Sequence, residues 1–226
     1  MEIEDIAAVM EVERLSFTTP WPANAYRREL KENRLAHYFV ARSTGPAHRN
    51  TSATVLPSPP SQGSSSGWRG LLDRLFSPQG SPEVTASALD EKAARVVGYA
   101  GLWLMVDEAH ITSIAVAPTY RGLGLGELLL IKLVDAAREI GAQYLTLEVR
   151  VSNQVAHGLY RKYTFKQTGV RRKYYSDNNE DAAIMWSDPL DSPSFLGSVE
   201  ENGRLLMERL KSPQVHAELR TRGVEA

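Results

Sequence analysis

Residues 114–127 read IAVAPTYRGLGLGE, and this stretch decides the fold. An apolar strand pattern ends before Pro118, glycines follow at positions 122, 124 and 126, and a strongly apolar helical pattern begins at once. Backbone N–H groups at the start of a helix have no partners within it, and glycine lets an anion approach them closely. The stretch therefore predicts a strand, a phosphate-binding turn and a helix. The less favoured alternative is a plain glycine turn needed for packing.

Two well-known nucleotide-binding patterns match this turn poorly. A triphosphate-binding P-loop needs Gly-Lys-Ser/Thr at the start of the helix, where this chain has Gly126-Glu127-Leu128. A dinucleotide fingerprint needs a third small residue, and the two possible frames place Glu127 or Leu129 there. Glu148 lies about where the ribose-binding acid of that fingerprint is expected. The hypothesis of a dinucleotide-binding site is therefore less favoured but stays open.

The composition narrows the class of protein. The chain has 226 residues with 26 basic and 27 acidic side chains, a net charge of -1 and a hydrophobic share of 42%. These values allow a core and argue against a dedicated nucleic-acid binder. The absence of cysteine excludes a disulfide framework, a thiolate metal site and a cysteine nucleophile, and no metal site is predicted. Neither a membrane-spanning run nor a secretory signal is visible, so we expect a cytoplasmic protein, or a plastid one if the source is eukaryotic.

The chain is predicted to hold one domain that is interrupted by an insertion. Residues 43–82 contain 9 Ser, 6 Pro and 5 Gly, so 43–94 are predicted to form a disordered low-complexity insertion. One apolar stripe at 68–76 predicts a short helix that rests on the domain or docks a partner. Residues 191–226 are predicted to form a helical and polar tail, which leaves 1–42 and 95–190 as the domain.

Hydrophobic periodicity predicts an α/β (α+β) fold, with helices on a central mixed sheet. Helices are predicted at 4–15, 23–31, 124–140, 153–163 and 195–210, and strands at 37–42, 96–105, 111–116, 144–149, 170–175 and 182–186. In the strand at 144–149 the apolar residues alternate with polar ones. This alternation predicts that Glu148 lies on the face opposite to Leu147 and the core.

Arg121-x-x-Gly124-x-Gly126 resembles the acetyl-CoA pyrophosphate loop of the GCN5-related N-acetyltransferases, the GNAT superfamily. LEVR at 147–150, RRKYY at 171–175 and FTTPWP at 17–22 are similar to its RimI-type subgroup, which acetylates the N-terminal alanine of a small-subunit ribosomal protein. The resemblance implies the GNAT fold, a mostly antiparallel mixed sheet flanked by helices, with acetyl-CoA as co-substrate. No metal, nucleic-acid or membrane partner is expected.

The resemblance also implies roles for individual residues. Glu148 is expected to be the general base and Tyr160 the general acid for the CoA thiolate; a solvated carboxylate and a packing tyrosine are the structural alternatives. Without cysteine, direct attack in a ternary complex is the simplest mechanism. The implied coenzyme-binding residues are Ile114, Ala115, Val116, Arg121, Gly122, Leu123, Gly124, Leu125, Gly126, Glu127 and Asn153. The acceptor slot is expected to be lined by Trp21, Tyr174 and Tyr175.

The leading hypothesis is acetylation of a protein N-terminal amine, most favourably the N-terminal alanine of a ribosomal protein. The alternatives are a lysine or small-molecule amine as acceptor, or a non-catalytic CoA-binding scaffold. Residues 150–173 hold seven Lys or Arg and no acid. One interpretation is a local positive electrostatic field that attracts the CoA phosphates or the surface of a ribosome. The alternative is a solvated basic face whose acidic neighbours lie in the N-terminal helices.

Three features depart from the subgroup. The first strand of the family is nearly absent, because MEIEDI starts almost at the first helix. Thr164 stands where the family often has glycine, so we expect the local helix end to differ, since threonine is costly in a left-handed cap. The long insertion is the third departure.

Overall fold

The computed structural model describes residues 1–43 and 95–221 of the chain. Its helices are α1 (Ile6–Ser16), α2 (Ala23–Glu32), α3 (Leu125–Glu139), α4 (Gln154–Lys162), α5 (Pro193–Leu210) and α6 (Pro213–Thr221). Its strands are β1 (Ala36–Ser43), β2 (Arg95–Met105), β3 (Glu108–Val116), β4 (Tyr144–Arg150), β5 (Lys166–Tyr175) and β6 (Glu180–Trp186). Short 3-10 turns cover Ile3–Asp5 and Pro118–Tyr120. The predicted stripe at 68–76 lies outside the described residues.

The six strands form one sheet in the order β1-β2-β3-β4-β6-β5. Only β3 and β4 are parallel, and the other neighbours are antiparallel. The predicted fold class, a mostly antiparallel mixed sheet flanked by helices, is therefore confirmed. The β3–β4 pairing is short, since it runs from Glu108 opposite Tyr144 only to Ile111 opposite Leu147. Beyond that point the two strands diverge, and this divergence positions the site described below.

Helix α3 is apolar nearly all round because it is covered on two sides. Leu128, Leu130 and Leu133 are buried in the same core cluster as the sheet residue Leu145. Helix α5 closes the other side of that cluster, with buried side chains at Phe195, Val199, Leu206 and Met207. The domain boundary at 190 stays a prediction, but the region beyond it packs into the main core.

Helices α1 and α2 cover the opposite face of the sheet, in a second core cluster. A buried carboxylate links them to the sheet. Tyr26 OH of α2 and Tyr99 OH of β2 donate to Glu13 Oε1 of α1, at 2.5 and 2.7 Å. Burial without these donors would be costly for a carboxylate, so the three side chains fix how α1 and α2 sit on β2.

Two of the predicted departures can be compared with the structure. Within residues 1–43 no strand precedes α1, and the N-terminal amine instead donates to Tyr38 O of β1 at 3.0 Å. The expectation of a different helix end at Thr164 is wrong. Thr164 takes the left-handed conformation itself, with φ 60°, and Phe165 N donates to Tyr160 O at 3.1 Å.

The predicted insertion joins two strands that are direct neighbours. Ser43 at the end of β1 faces Arg95 at the start of β2 in the antiparallel ladder. The intervening segment therefore leaves and re-enters the sheet at one hairpin end. Among the helices in the described ranges, none combines the length and the hydropathy needed to cross a bilayer.

Candidate active site

The divergence of β3 and β4 exposes strand edges at the centre of the sheet. Residues Ile114, Ala115 and Val116 pair with β2 on one side, opposite Ala100, Tyr99 and Gly98. The β3–β4 ladder ends at Ile111, so the other edge of these residues has no strand partner in the described part of the chain. Backbone groups on such an edge can hydrogen-bond an extended ligand. These are the three strand residues that the resemblance implies for coenzyme binding.

Glu148 lies on β4 just past the last parallel pair, on the face opposite to the core as predicted. Its side chain is only 7% exposed. Its two oxygens contact different side chains: Oε2 lies 3.1 Å from His110 Nε2, and Oε1 lies 3.1 Å from an Arg171 guanidinium nitrogen. His110 Nδ1 in turn lies 3.0 Å from Thr146 Oγ1. With its proton on Nε2, His110 donates to Glu148 and accepts from Thr146.

These contacts keep Glu148 ionised. The hydrogen bond from His110 lowers the pKa of Glu148 below its usual range, although burial acts in the opposite direction, and the charge of Arg171 lowers it further. A buried carboxylate that stays charged attracts a cation such as an ammonium group. The site therefore offers a fixed negative charge to an incoming amine.

Glu148 is one of the residues that line an open pocket of about 360 Å³. Two tryptophans, Trp103 and Trp186, line it together with Tyr174 and Ile184. Its remaining lining residues are Met105, Glu108, His110, Thr146, Leu147, Glu148 and Arg171. The mixture of aromatic walls and a few polar groups is typical of a pocket that binds a small group or a chain end.

The three predicted acceptor residues occupy different positions around this pocket. Tyr174 lines it directly. Trp21 does not line it but packs on the lining residue Trp103, with ring centroids 5.9 Å apart. Tyr175 packs edge-on against Tyr174 at 5.1 Å, and the Arg150 guanidinium lies 3.9 Å from its ring centroid. Of the three predicted acceptor residues, Tyr174 is therefore the one that lines the pocket. Trp21 and Tyr175 pack against the residues that line it.

Tyr160 lies on α4 and is buried, with its ring 5.7 Å from that of Phe165. Burial raises the pKa of Tyr160, and the nearby Tyr175 acts in the same direction. The phenol therefore keeps its proton at neutral pH and is a hydrogen-bond donor. A packing role alone would also account for its contact with Phe165, so its chemical role stays a prediction.

The glycine turn has the backbone geometry of an anion site. Gly122 and Gly124 take positive φ values of 83° and 95°, which favour glycine. The hydrogen-bond ladder of α3 begins with Leu128 N donating to Gly124 O at 2.9 Å. The N–H groups of Leu125, Gly126 and Glu127 therefore have no acceptor within the helix and point out of its positive end. A phosphate group fits this turn.

Two charged side chains in the turn have other partners. Arg121 Nε donates to Val116 O at 2.9 Å, and its NH2 donates to Ser16 Oγ at 3.1 Å, so the guanidinium braces the end of β3 against α1. The buried Glu127 carboxylate accepts from Tyr163 OH at 2.7 Å and from Lys162 Nζ. The side chains of both residues are engaged elsewhere, so a phosphate at the turn would meet their backbone groups instead.

Asn153 is the N-cap of α4. Its Oδ1 accepts from Ala156 N at 3.2 Å, and Ser152 N donates to Glu180 Oε1 at 2.9 Å. The cap holds the start of α4 beside the end of β4. Its predicted contact with the pantetheine arm stays a prediction.

The basic run at 150–173 is largely neutralised by acids. Four of its seven cations form ion pairs: Arg150 with Asp177 and Glu180, Lys162 with Glu127, Lys166 with Asp188, and Arg171 with Glu148. These acids lie on α3, β4, β6 and the adjoining turns. None of these partners lies on α1 or α2, where the alternative of a solvated basic face had expected them.

Sequence reasoning missed His110 as a partner of Glu148. The signal in the sequence is a polar residue in the alternating pattern of β3, but its pairing with β4 depends on a register that only the fold supplies. In that register His110 lies directly opposite Thr146, two residues before Glu148. Within the described residues, no group of three or more His, Asp or Glu side chains is arranged to hold a metal ion.

Comparisons with known proteins agree with this geometry. A model of the acetyltransferase (GNAT) family matches residues 57–165. A Bacillus subtilis (strain 168) protein, provisionally named a ribosomal protein bS18-alanine N-acetyltransferase, is 37% identical over 186 residues, which cover 82% of this chain and 91% of that protein. The chain belongs to the GNAT acetyltransferase family. The predicted membership is confirmed, and the chain is an acetyl-CoA-dependent N-acetyltransferase.

Other GNAT relatives match parts of the chain or its fold. The ribosomal protein bS18-alanine N-acetyltransferase of Haemophilus influenzae is 43% identical over 94 residues, 40% of this chain and 64% of that protein. The crystal structure of the ribosomal-protein-S18-alanine N-acetyltransferase from Escherichia coli has a TM-score of 0.56 at 24% identity and covers 85% of this chain and 92% of that one. The crystal structure of Ard1 from Thermoplasma volcanium has a TM-score of 0.53 at 21% identity, and the match covers 82% of this chain and 92% of that one. The two structures share the GNAT fold with this chain.

Proposed function

We propose that this enzyme transfers the acetyl group of acetyl-CoA to the N-terminal α-amine of a protein, and that the acceptor is the N-terminal alanine of a small-subunit ribosomal protein. The observation that carries the proposal is the buried, ionised Glu148, which is held by His110 and Arg171 and lines a pocket next to the point where β3 and β4 diverge. The names of the relatives support the choice of acceptor. Ribosomal proteins are made in the cytoplasm of a bacterium, which is the compartment we propose.

The coenzyme is proposed to lie in the β3–β4 divergence. The pantetheine arm would bond to the free edge of Ile114, Ala115 and Val116, which would also hold the thioester carbonyl. The diphosphate would bind the N–H groups of the glycine turn between Gly122 and Glu127. Asn153 would contact the arm from the start of α4. The thioester supplies the activated acetyl group, and the remaining chemistry belongs to the side chains of this chain.

The acceptor amine must be neutral when it attacks the acetyl carbonyl. An α-amine with a pKa of about 8 is roughly one quarter neutral at pH 7.5, whereas a lysine with a pKa of about 10.4 is about 0.1% neutral. Glu148 attracts the amine and orients it toward the thioester. As the N–C bond forms, the nitrogen becomes far more acidic, so even a carboxylate with a lowered pKa accepts its proton.

The bond to sulfur then breaks, and the CoA thiolate leaves. Tyr160 is proposed to donate a hydrogen bond or a proton to this sulfur, because burial keeps the phenol protonated. The proton lost by the amine balances the one that CoA gains, through Glu148, Tyr160 and solvent. No covalent acetyl-enzyme is needed.

The test compares two peptides as acceptors for the full chain. One begins with a free alanine and contains no lysine, and the other has a blocked N-terminus and one lysine. The proposal expects turnover of the first and little of the second. Preferred turnover of the lysine peptide would make the chain a lysine acetyltransferase. No turnover with either peptide or with small amines would favour a CoA-binding scaffold.

A further inference from the structure

The C-terminal helix α5 reaches the glycine turn. Leu206 and Arg209 lie on the face of α5 that meets this turn. An added Cβ at Gly124 would overlap the guanidinium of Arg209 and would lie 2.6 Å from Leu206 Cδ1. The side chain of Arg209 therefore lies directly over Gly124, at the positive end of α3.

Among the described residues, the cations in contact with Glu127 beside the turn outnumber the carboxylates that they contact. Glu127 is the acid that contacts Arg209, at 3.8 Å between Oε2 and NH2, and its other oxygen already contacts Lys162 and Tyr163. Two cations thus share one carboxylate beside a helix N-terminus, where positive charge is unfavourable. Arg209 keeps half of its side chain exposed, at 49%, so it can meet a ligand.

The family's own turn arginine is not in a position to do so. The guanidinium of Arg121 is bonded to Val116 O and Ser16 Oγ, on the side of α1. The N–H groups of Leu125 to Glu127 supply hydrogen bonds to an anion but no full charge. A guanidinium is well suited to complete such a site because its fork of donors matches phosphate oxygens.

We propose that Arg209 of the C-terminal helix binds the diphosphate of the coenzyme, so that α5 forms part of the acetyl-CoA site. This inference rests on the proposed function, which puts the diphosphate at the glycine turn. Diphosphate binding would draw Arg209 from its long contact with Glu127 onto the ligand. Lys162 would remain with Glu127.

The experiment measures the equilibrium dissociation constants of CoA and of 3′-dephospho-CoA, which keeps the diphosphate but lacks the 3′-phosphate. Arg209→Gln should weaken both ligands by the same factor, between about tenfold and hundredfold. The dissociation constants of Arg209→Lys should lie between those of Arg209→Gln and those of the parent chain. Arg204→Gln is the matched control, because Arg204 lies on the same helix and pairs with Glu201 and Glu208. It should change neither constant by more than about twofold.

A second readout uses acetyl-pantetheine, which lacks the diphosphate. Arg209→Gln should lower kcat/KM for acetyl-CoA and leave kcat/KM for acetyl-pantetheine unchanged, which a general structural defect would not do. Unchanged CoA binding in Arg209→Gln, a loss confined to CoA with dephospho-CoA unaffected, or an equal loss in Arg204→Gln would overturn the inference. Failure of the parent chain to bind CoA would instead overturn the proposed function.

Discussion

Glu148 has an environment that is unusual for a strand carboxylate. It is almost fully buried, yet it contacts a histidine, an arginine and a pocket rather than a single structural partner. A purely structural interaction would need only one of these two side chains. Two neighbours hold the carboxylate in place, and the pocket leaves room for a further partner, which supports our proposal that Glu148 receives an amine.

Replacing Glu148 by Gln should therefore affect catalysis more than coenzyme binding. We expect kcat to fall by about 10²–10⁴-fold, the range for losing a general base, with the KM for acetyl-CoA nearly unchanged. Steady-state kinetics with the alanine peptide measure both constants. Glu108→Gln is the matched control, since Glu108 lines the same pocket, and it should lower kcat far less. Equal losses in the two variants would remove the special role of Glu148.

The pH dependence follows from the direction of the Glu148 shift. Its native pKa is lowered, so the carboxylate stays charged as the pH falls through the ordinary range of glutamate. The rise of kcat/KM with pH should then report the acceptor amine, with an apparent pKa of about 8. A profile of kcat/KM between pH 5 and 9 tests this. An additional inflection near pH 5 to 6 that vanishes in Glu148→Gln would show that the pKa of Glu148 is raised instead.

At the scale of elements, a residue in the turn that ends α4 has an unfavourable backbone conformation. Thr164 has φ 60°, a conformation that is unfavourable for a β-branched residue, and its Oγ1 is buried without a hydrogen-bond partner among the described residues. Helix α4 supplies Tyr160 and Asn153, so its end has to hold this geometry. The chain keeps the turn that the family usually builds with glycine.

Thr164→Gly should raise the free energy of unfolding, because glycine relieves the left-handed strain. Thr164→Ala is the control, since both variants remove the unpaired hydroxyl but only glycine relieves the strain. We expect the glycine variant to be more stable than the alanine variant by about 0.5–1 kcal/mol, measured by denaturant unfolding. An alanine variant of equal or greater stability would show that Thr164 is not strained.

The sequence predicted the elements better than their contacts. Alternation in β4 placed Glu148 on the correct face, because side chains alternate along any strand. Three glycines before an apolar helix predicted a turn followed by a helix, because this signal too is local. The contact of His110 with Glu148 and of Arg209 with the turn join elements far apart in the chain, so they depend on the β3–β4 register and on how α5 packs. Neither is encoded in a local pattern.

At the scale of the whole molecule, the insertion enters and leaves at one place. Ser43 and Arg95 face each other at the end of the β1–β2 ladder, and β1 is an edge strand of the sheet. The glycine turn, Glu148 and Tyr160 all lie after residue 95. A short hairpin loop could therefore connect the two strands without moving the site.

Replacing residues 44–94 by a six-residue Gly/Ser loop should leave kcat and the KM for acetyl-CoA within about twofold. It should also stabilise the chain by about 2 kcal/mol, because a shorter flexible loop costs less closure entropy. A 24-residue loop is the control and should give about 1.2 kcal/mol less stabilisation than the six-residue loop. Activity assays and urea unfolding measure the two effects. Loss of acetyl transfer in both loop variants would show that the insertion takes part in the reaction.

We propose above all that the Glu148 pocket delivers an N-terminal α-amine to the acetyl group of acetyl-CoA. The most direct measurement supplies the full chain with acetyl-CoA and one peptide that carries both an N-terminal alanine and an internal lysine, and locates the acetyl group by tandem mass spectrometry. We predict acetylation of the alanine nitrogen, with the lysine unmodified, and loss of this product in Glu148→Gln. Acetylation at the lysine, or alanine acetylation that persists at the parent rate in Glu148→Gln, would contradict the account.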